Sequence, residues 1–308
     1  MKKTAFVFPG QASQFVGMGL DFYNIRPIAQ KYYDHADRLF DFSIKEYSFY
    51  GPLAELTQTR ITQPAIFIHS LIVFEELKAK NIIPDMVAGH SLGEYSALVA
   101  AGALDFEQGL KLVKVRSEQM QIATETNSGT MAAIVGLDYD TIQSILDKSG
   151  FDGVCNIANY NSPNQIVISG DTHTVQSTML KLKQAGAKRV IELSVGGAFH
   201  SSLMQNAGEK LKKALDAASF QKARYPVYSN VTGTATTDPA EIRERLYKQL
   251  TSPVLWADSV VNMINDGAKT FVEIGPGKVL TGLIKRISSD VNIRNVSSVE
   301  DLENLEWN

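Results

Sequence analysis

Met86-Val87-Ala88-Gly89-His90-Ser91-Leu92-Gly93-Glu94-Tyr95-Ser96-Ala97-Leu98-Val99-Ala100-Ala101-Gly102 is the stretch on which the fold turns. Met86-Val87-Ala88 reads as a short strand, residues 94–101 as a helix that stops at Gly102, and between them lies a G-x-S-x-G sequence. A strand that bends sharply into a helix needs glycine on both sides, because no side chain fits beneath the bend. Such a turn lifts a Ser hydroxyl to the helix N-terminus, where backbone N–H groups and the helix dipole favour developing negative charge. Ser91 is therefore a candidate nucleophile, with an ordinary strand-to-helix turn and a capping Ser as the alternative.

Outward from this turn, β-type runs at 4–8, 86–88, 131–135, 165–169, 189–193, 227–230 and 270–274 alternate with helix-type stretches at 63–80, 94–101, 106–124, 140–148, 172–185, 203–218 and 239–250. The alternation predicts an α/β protein with a mainly parallel sheet. Residues 125–196 read as a unit of their own. A strand from Thr130, a helix, the polar run Asn156 to Asn164, a strand from Gln165, a second helix and a last strand from Lys188 give the order β-α-β-β-α-β. That is the split pattern of a ferredoxin-like subdomain, with the Pro163-Asn164 turn joining its two middle strands. The expected division is a main domain of 1–124 plus 197–308 with an inserted subdomain at 125–196; alternatively the inserted strands join the main sheet.

Composition narrows the class. The 308 residues include 30 Lys plus Arg against 33 Asp plus Glu, a net charge of −3, which gives no reason to expect nucleic acid. The single Cys155 cannot form an internal disulfide, which fits a reducing compartment. The apolar run that follows Met1-Lys2-Lys3-Thr4 is too short for a secretory signal and reads as a first strand, and the greasiest stretch, 65–74, falls short of a membrane span. A cytoplasmic protein without membrane contact is expected. No Cys/His cluster has metal-ligand spacing, so no metal is expected. Gly275-Pro276-Gly277-Lys278 lacks the spacing of a phosphate loop, and Pro276 removes a backbone donor, so a structural turn is expected there.

A Ser nucleophile needs a base, and the chain has five histidines. His35 sits on a charged helix surface, His69 inside an apolar run, and His173 near a helix start. His90 adjoins Ser91, and neighbours at a tight turn point apart. His200, in the small-residue loop Gly196-Gly197-Ala198-Phe199-His200-Ser201-Ser202, is left as the candidate base. No loop-borne acid before His200 stands out as its orienter; a backbone carbonyl could hold the imidazole tautomer instead, although it would stabilise imidazolium less than a buried carboxylate.

Taken together, Phe8-Pro9-Gly10-Gln11, the 89–97 block, Arg116, Asn159-Tyr160-Asn161-Ser162-Pro163, Gly197-Ala198-Phe199-His200-Ser201, Tyr228-Ser229-Asn230-Val231-Thr232-Gly233 and Glu273-Ile274-Gly275-Pro276-Gly277 carry a resemblance. In that order, over nearly the whole chain, they resemble the malonyl-CoA:acyl-carrier-protein transacylases of fatty acid synthesis. The resemblance implies a hydrolase-like α/β domain with an inserted ferredoxin-like subdomain. It implies Ser91 as nucleophile, His200 as general acid/base, and the backbone carbonyl of Gln249 as orienter of His200. Backbone N–H groups of Gln11 and Leu92 would form the oxyanion hole, Arg116 would bind the malonyl carboxylate, and Gln63 and Asn159 would line the pocket. Phe199, beside the base, would fill the space next to the α-carbon and disfavour a methyl branch.

The implied partners are malonyl-CoA and an acyl carrier protein that brings its own phosphopantetheine, with no cofactor and a family tendency to monomers. A free-standing malonyl acyltransferase of a polyketide synthase would share this chemistry. A serine thioesterase or esterase would share Ser91 and His200 with little use for Arg116, and a non-catalytic carrier-binding module would need neither. Without the resemblance, Arg116 reads as a surface residue of a helix that also carries Lys111, Lys114 and Glu118. Three positions depart from the family pattern: Ala12 and Ser117, where glycine is usual, and Ser202, where proline is common. An Ala at positive φ costs on the order of 1 kcal/mol. Lys181, Lys183, Lys188 and Arg189 form either a basic face for an acidic carrier or a solvated helix end.

Overall fold

The computed structural model describes residues 3–148, 150, 152–193 and 195–307. Met1-Lys2 of the expected first strand's approach, and Ser149, Phe151 and Ser194 of the expected insert, lie outside the described residues. Ten strands are described: β1 Lys3–Phe8, β2 Met86–Gly89, β3 Gly129–Val135, β4 Cys155–Ser162, β5 Gln165–Asp171, β6 Arg189–Glu192, β7 Val227–Tyr228, β8 Ala235–Thr236, β9 Ala268–Ile274 and β10 Asn292–Val296. They form two sheets, as the α/β reading with an antiparallel ferredoxin-like unit expects. The larger has the order β10-β9-β1-β2-β7-β8 and is parallel except for the short β7–β8 pair. The smaller is antiparallel with the order β4-β5-β3-β6, so its strands do not join the main sheet.

The side-chain period of two along β1 explains the layers. Phe6 and Phe8 enter the core under helices Thr59–Ala79, Gly93–Ala100 and Phe106–Thr126, while Ala5 and Val7 face the core under Trp256–Asn265 and Val279–Ile287. Helices on both faces are what a buried parallel sheet requires. Thr59–Ala79 lies within the first core and is buried nearly all round, which accounts for its long apolar run. It begins four residues before the expected start at 63, with Pro64 inside it, because packing outweighs the backbone bond that Pro64 cannot make. No helix among the described residues is long and apolar enough to cross a membrane.

In the smaller sheet, Ala132 and Ile134 of β3 join Ile142, Ile157, Ile166 and Ile168 in a separate core. Met131 and Ala133, on the opposite face of the same strand, pack toward the main body. The polar run counted in the sequence as a middle strand of the unit is β4, at the edge of its sheet and broken by two register shifts at 157/159 and 160/162. That edge meets the main body: the Tyr160 N–H donates to the Val254 carbonyl (2.9 Å) and the Val254 N–H to the Ala158 carbonyl (2.9 Å).

His69 is a packed core residue, its ring edge-on to Phe22 at 5.9 Å. Complete burial holds its imidazole down at about 4. Between that value and the ordinary value near 6.5, the unfolded chain binds a proton at this site that the folded chain refuses, so stability falls as pH drops through the window. Replacing His69 with Leu should flatten the loss by up to about 1.4 kcal/mol per pH unit, measured by urea unfolding between pH 4 and 6.5. Unchanged slopes in the variant would contradict the assignment.

Candidate active site

Strands β1, β2 and β7 run parallel and end together, and the residues that follow them meet at their carboxyl ends, where α/β folds place their ligands. Gly10 and Gln11 follow β1, His90 and Ser91 follow β2, and Ser229 and Asn230 follow β7. Ser91 stands at φ +51, a left-handed backbone conformation that L-residues avoid. Two glycines make the bend possible. A Cβ on Gly89 would overlap the Gly93 carbonyl, and one on Gly93 would overlap the carbonyl of Phe8 at the end of β1. Asn230 fastens the bend from the third strand: its Oδ1 accepts from the Ser91 N–H (2.7 Å) and its Nδ2 donates to the Gly89 carbonyl (2.6 Å).

Ser91 Oγ lies 2.9 Å from His200 Nε2, and His200 Nδ1 lies 2.8 Å from the backbone carbonyl of Gln249. A carbonyl only accepts, so Nδ1 carries the proton and Nε2 faces the hydroxyl as a base. The backbone carbonyl that the sequence reading offered in place of an acid is present beside the imidazole. His200 itself sits at φ +57, and its own carbonyl accepts from Asn156 Nδ2 on β4 (2.9 Å), so the smaller sheet holds its backbone. Burial first, and the nearby Arg116 charge second, keep the His200 imidazole down at about 3 and therefore neutral at neutral pH. His90 points the other way, with Nε2 at 2.8 Å from Asn161 Oδ1.

Arg116 is not on the surface. It is 0% exposed, while its helix sends Lys111 and Lys114 outward to pair with Glu107 and Glu118. Its Nη1 donates to Gln63 Oε1 (2.7 Å), and its Nη2 donates to Ser91 Oγ (2.9 Å) and to Gln249 Oε1 (3.0 Å). Its Nε has no partner, and among the described residues the guanidinium makes no ion pair. The Tyr95 ring lies beneath it at 5.5 Å. A buried cation met only by neutral groups is costly unless an anion arrives to complete it.

These groups open on a cavity of about 220 Å³. Gln11, Gln63, Leu92, Asn159 and Phe199 all line it, together with Ser91, Arg116 and His200. Its outer wall is apolar, with Met131, Ala133 and Val167 from the smaller sheet facing Val279, Leu280 and Leu283 of the main body. The N–H groups of Gln11 and Leu92 donate to no protein acceptor among the described residues, and Leu92 caps the helix Gly93–Ala100. Ala12, beside Gln11, does sit at positive φ (+79), and its N–H is taken by Gln14 Oε1 at 2.8 Å. The chemical capacity of the set is that of a hydroxyl with a neutral base, a neighbouring pair of free N–H donors and an anion-seeking guanidinium.

Three polar groups went unassigned in the sequence. Asn230 and Glu94 stand inside quoted motifs, and Asn156 inside the polar run, but nothing in their spacing tells which backbone groups they reach. Glu94, 3% exposed, accepts from Gln249 Nε2 (2.7 Å) and from the Asn230 N–H (3.2 Å), and burial pushes its carboxyl up to about 7.

A serine–histidine pair at the strand ends of a parallel sheet, with a buried Arg beside the hydroxyl, places the chain in the class of α/β proteins. The acyl transferase domain profile matches residues 5–303, and the chain belongs to that family. It is 45% identical over 304 residues to the malonyl CoA-acyl carrier protein transacylase of Bacillus subtilis (strain 168), covering 98% of this chain and 96% of the relative. Among solved structures it is similar to an acyl carrier protein S-malonyltransferase from Vibrio cholerae O1 biovar eltor, with TM-score 0.94, 38% identity and coverage of 99% and 100%. It is equally similar to a malonyl-transacylase solved in complex with a type II polyketide synthase acyl-carrier protein, with TM-score 0.94, 36% identity and coverage of 98% of each chain.

The bend itself can be tested apart from chemistry. Gly93→Ala should destabilise the protein by about 3 kcal/mol in urea unfolding, because the intruded atom is backbone and cannot move aside. Gly282→Ala, in the helix Val279–Ile287 with nothing within 4 Å of the added Cβ, should instead gain up to about 1 kcal/mol.

Proposed function

We propose that the protein transfers the malonyl group from malonyl-CoA to the phosphopantetheine thiol of an acyl carrier protein through a malonyl-Ser91 ester. The observation that carries this reading is Arg116: a wholly buried guanidinium with no carboxylate partner among the described residues, 2.9 Å from the hydroxyl that would be acylated. A short acyl chain ending in a carboxylate completes that cation, and bidentate pairing fixes its thioester carbonyl over Ser91. An acetyl group would leave the Arg uncompensated, which is the basis of discrimination.

In the first half-reaction Ser91 Oγ attacks the thioester carbon while His200 Nε2 takes the hydroxyl proton. Gln11 and Leu92 N–H groups receive the oxyanion. The tetrahedral intermediate collapses by breaking the C–S bond, and the proton on His200 passes to the CoA thiolate. The carrier thiol then gives its proton to His200 and attacks the ester, and Ser91 Oγ leaves and recovers that proton. The Gln249 carbonyl keeps Nδ1–H pointing away throughout. Gln63 and Asn159 line the acyl end of the pocket, and Phe199 blocks a branch at the α-carbon.

In this reading the main domain is 1–124 plus 197–308, the insert is 125–196, and the acyl group lies between them. The enzyme works in the cytoplasm as a monomer, without a cofactor, membrane or nucleic acid. Lys183, Lys188 and Arg189 are exposed and Lys181 half-buried, a basic face suited to an acidic carrier. The structural neighbour that carries a polyketide synthase partner favours one second reading, a free-standing malonyl acyltransferase of that pathway. Transfer rates measured side by side on fatty-acid and polyketide carrier proteins separate the two.

Radiolabelled malonyl-CoA should leave a stable ester on Ser91 that a carrier protein discharges; folded protein that takes up no label would end the transferase reading. Arg116→Ala should lower kcat/KM for malonyl-CoA by at least about a hundredfold and affect acetyl-CoA far less. Equal losses for both thioesters would refute the clamp.

The pH profile gives a separate check. A base held at about 3 stays neutral well below the ordinary 6.5, so Ser91 labelling by a neutral phosphofluoridate should persist at pH 5. Since the Arg116 charge is the second cause of that depression, Arg116→Met should move the acid limb upward, toward 6.5.

A further inference from the structure

Gln249 has a second task besides its backbone carbonyl, and a residue outside the pocket controls it. The side-chain amide of Gln249 has one accepting end and one donating end. Its Oε1 accepts from Arg116 Nη2 at 3.0 Å, while its Nε2 donates to the Ser91 carbonyl at 3.0 Å and to Glu94 Oε2 at 2.7 Å. The same Glu94 oxygen accepts the Asn230 N–H at 3.2 Å, so it is met by donors from two elements and by no acceptor. An oxygen that only accepts can face only the NH₂ end of the amide. That leaves the oxygen end turned to Arg116; reversed, the amide would set donor against donor at the guanidinium. Glu94 is not among the residues lining the pocket; it acts on the site through its bonds to Gln249 and Asn230 and through its charge on Arg116.

We infer that Glu94 is a positioning residue for recognition of the acyl carboxylate: it locks the Gln249 amide with Oε1 toward Arg116 and so holds the guanidinium in register with Ser91. This rests on the malonyl reading above. The role requires an acceptor at the Glu94 position and does not require a charge. Glu94→Gln, which keeps an oxygen there, should stay within about twofold of the parent in KM for malonyl-CoA. Glu94→Met, of similar length and without an acceptor, should raise that KM by about tenfold while labelling of Ser91 by a neutral phosphofluoridate changes by less than about twofold.

The split between the two readouts marks the role. A parallel loss of labelling and malonyl affinity in Glu94→Met would mean that Glu94 merely supports the bend, and an unchanged KM would also overturn the inference. If Glu94→Met does not fold, Glu94→Asp, which draws the carboxylate back by one methylene, should show the same KM rise with labelling preserved, and its failure to do so has the same force. Should the parent protein form no malonyl ester at all, the functional reading fails, a result distinguishable from any difference among the Glu94 variants.

Discussion

With no Cβ at Gly89 or Gly93, the first turn of the helix Gly93–Ala100 closes onto the backbone of β1, and Ser91 is left at φ +51 with its hydroxyl at the shared ends of three strands. The conformation is unfavourable for Ser, and it persists because its surroundings over-determine it. Asn230 binds the turn on both sides of His90, and the Gln249 amide takes the Ser91 carbonyl. Each of these bonds spans more than a hundred residues of chain. The local strain is therefore relieved only when β7 and the helix Pro239–Gln249 are in place, which couples the site to completion of the main sheet.

The smaller sheet depends on the same bend in another way. Its edge strand β4 presents asparagines at 156 and 161, one holding the His200 carbonyl and the other His90. Two register shifts in β4 turn polar side chains toward the main body while Ile157 stays in the insert core. His200 is thus held from two sides, its Nδ1 by the Gln249 carbonyl and its own carbonyl by Asn156 of the smaller sheet. These contacts place Nε2 2.9 Å from the Ser91 hydroxyl.

The bend was legible because its requirement is steric and local: glycine, serine and glycine at fixed spacing between a strand and a helix. The β-α-β-β-α-β order was legible from the periodicity of the other elements and from the Pro163-Asn164 turn, which marked the polar run before it as a strand. β10 was missed because Asn292, Arg294 and Asn295 dilute its apolar pattern at the sheet edge. β4 read as a polar run because its asparagines serve groups elsewhere in the chain. His200 emerged by elimination, whereas Arg116 on residue pattern alone passed for a surface cation; its burial depends on contacts with Gln63 and Gln249, far away in sequence. Glu94 lay inside the most informative motif with no sign of its partners.

That His200 Nδ1 meets a backbone carbonyl, with no carboxylate bonded to the ring among the described residues, has a physical logic in this pocket. An acid placed where the Gln249 carbonyl stands would raise the basicity of His200, but it would also lie beside Arg116, whose Nη2 already reaches the Gln249 side chain at 3.0 Å. The guanidinium would then be satisfied from within, and its selectivity for a carboxylated acyl group would be lost. Neutral partners on Arg116 and on His200 avoid this. Glu94 is separated from Arg116 by the Gln249 amide, and burial pushes its carboxyl up to about 7, which reduces but does not remove its negative charge near neutral pH. Burial first and the Arg116 charge second hold His200 at about 3, and a carboxylate paired with Arg116 would offset the second of these and raise its basicity. In the proposed reaction the substrate itself supplies the negative charge that a conventional triad builds into the protein, so activation of Ser91 and recognition of the acyl group become one event.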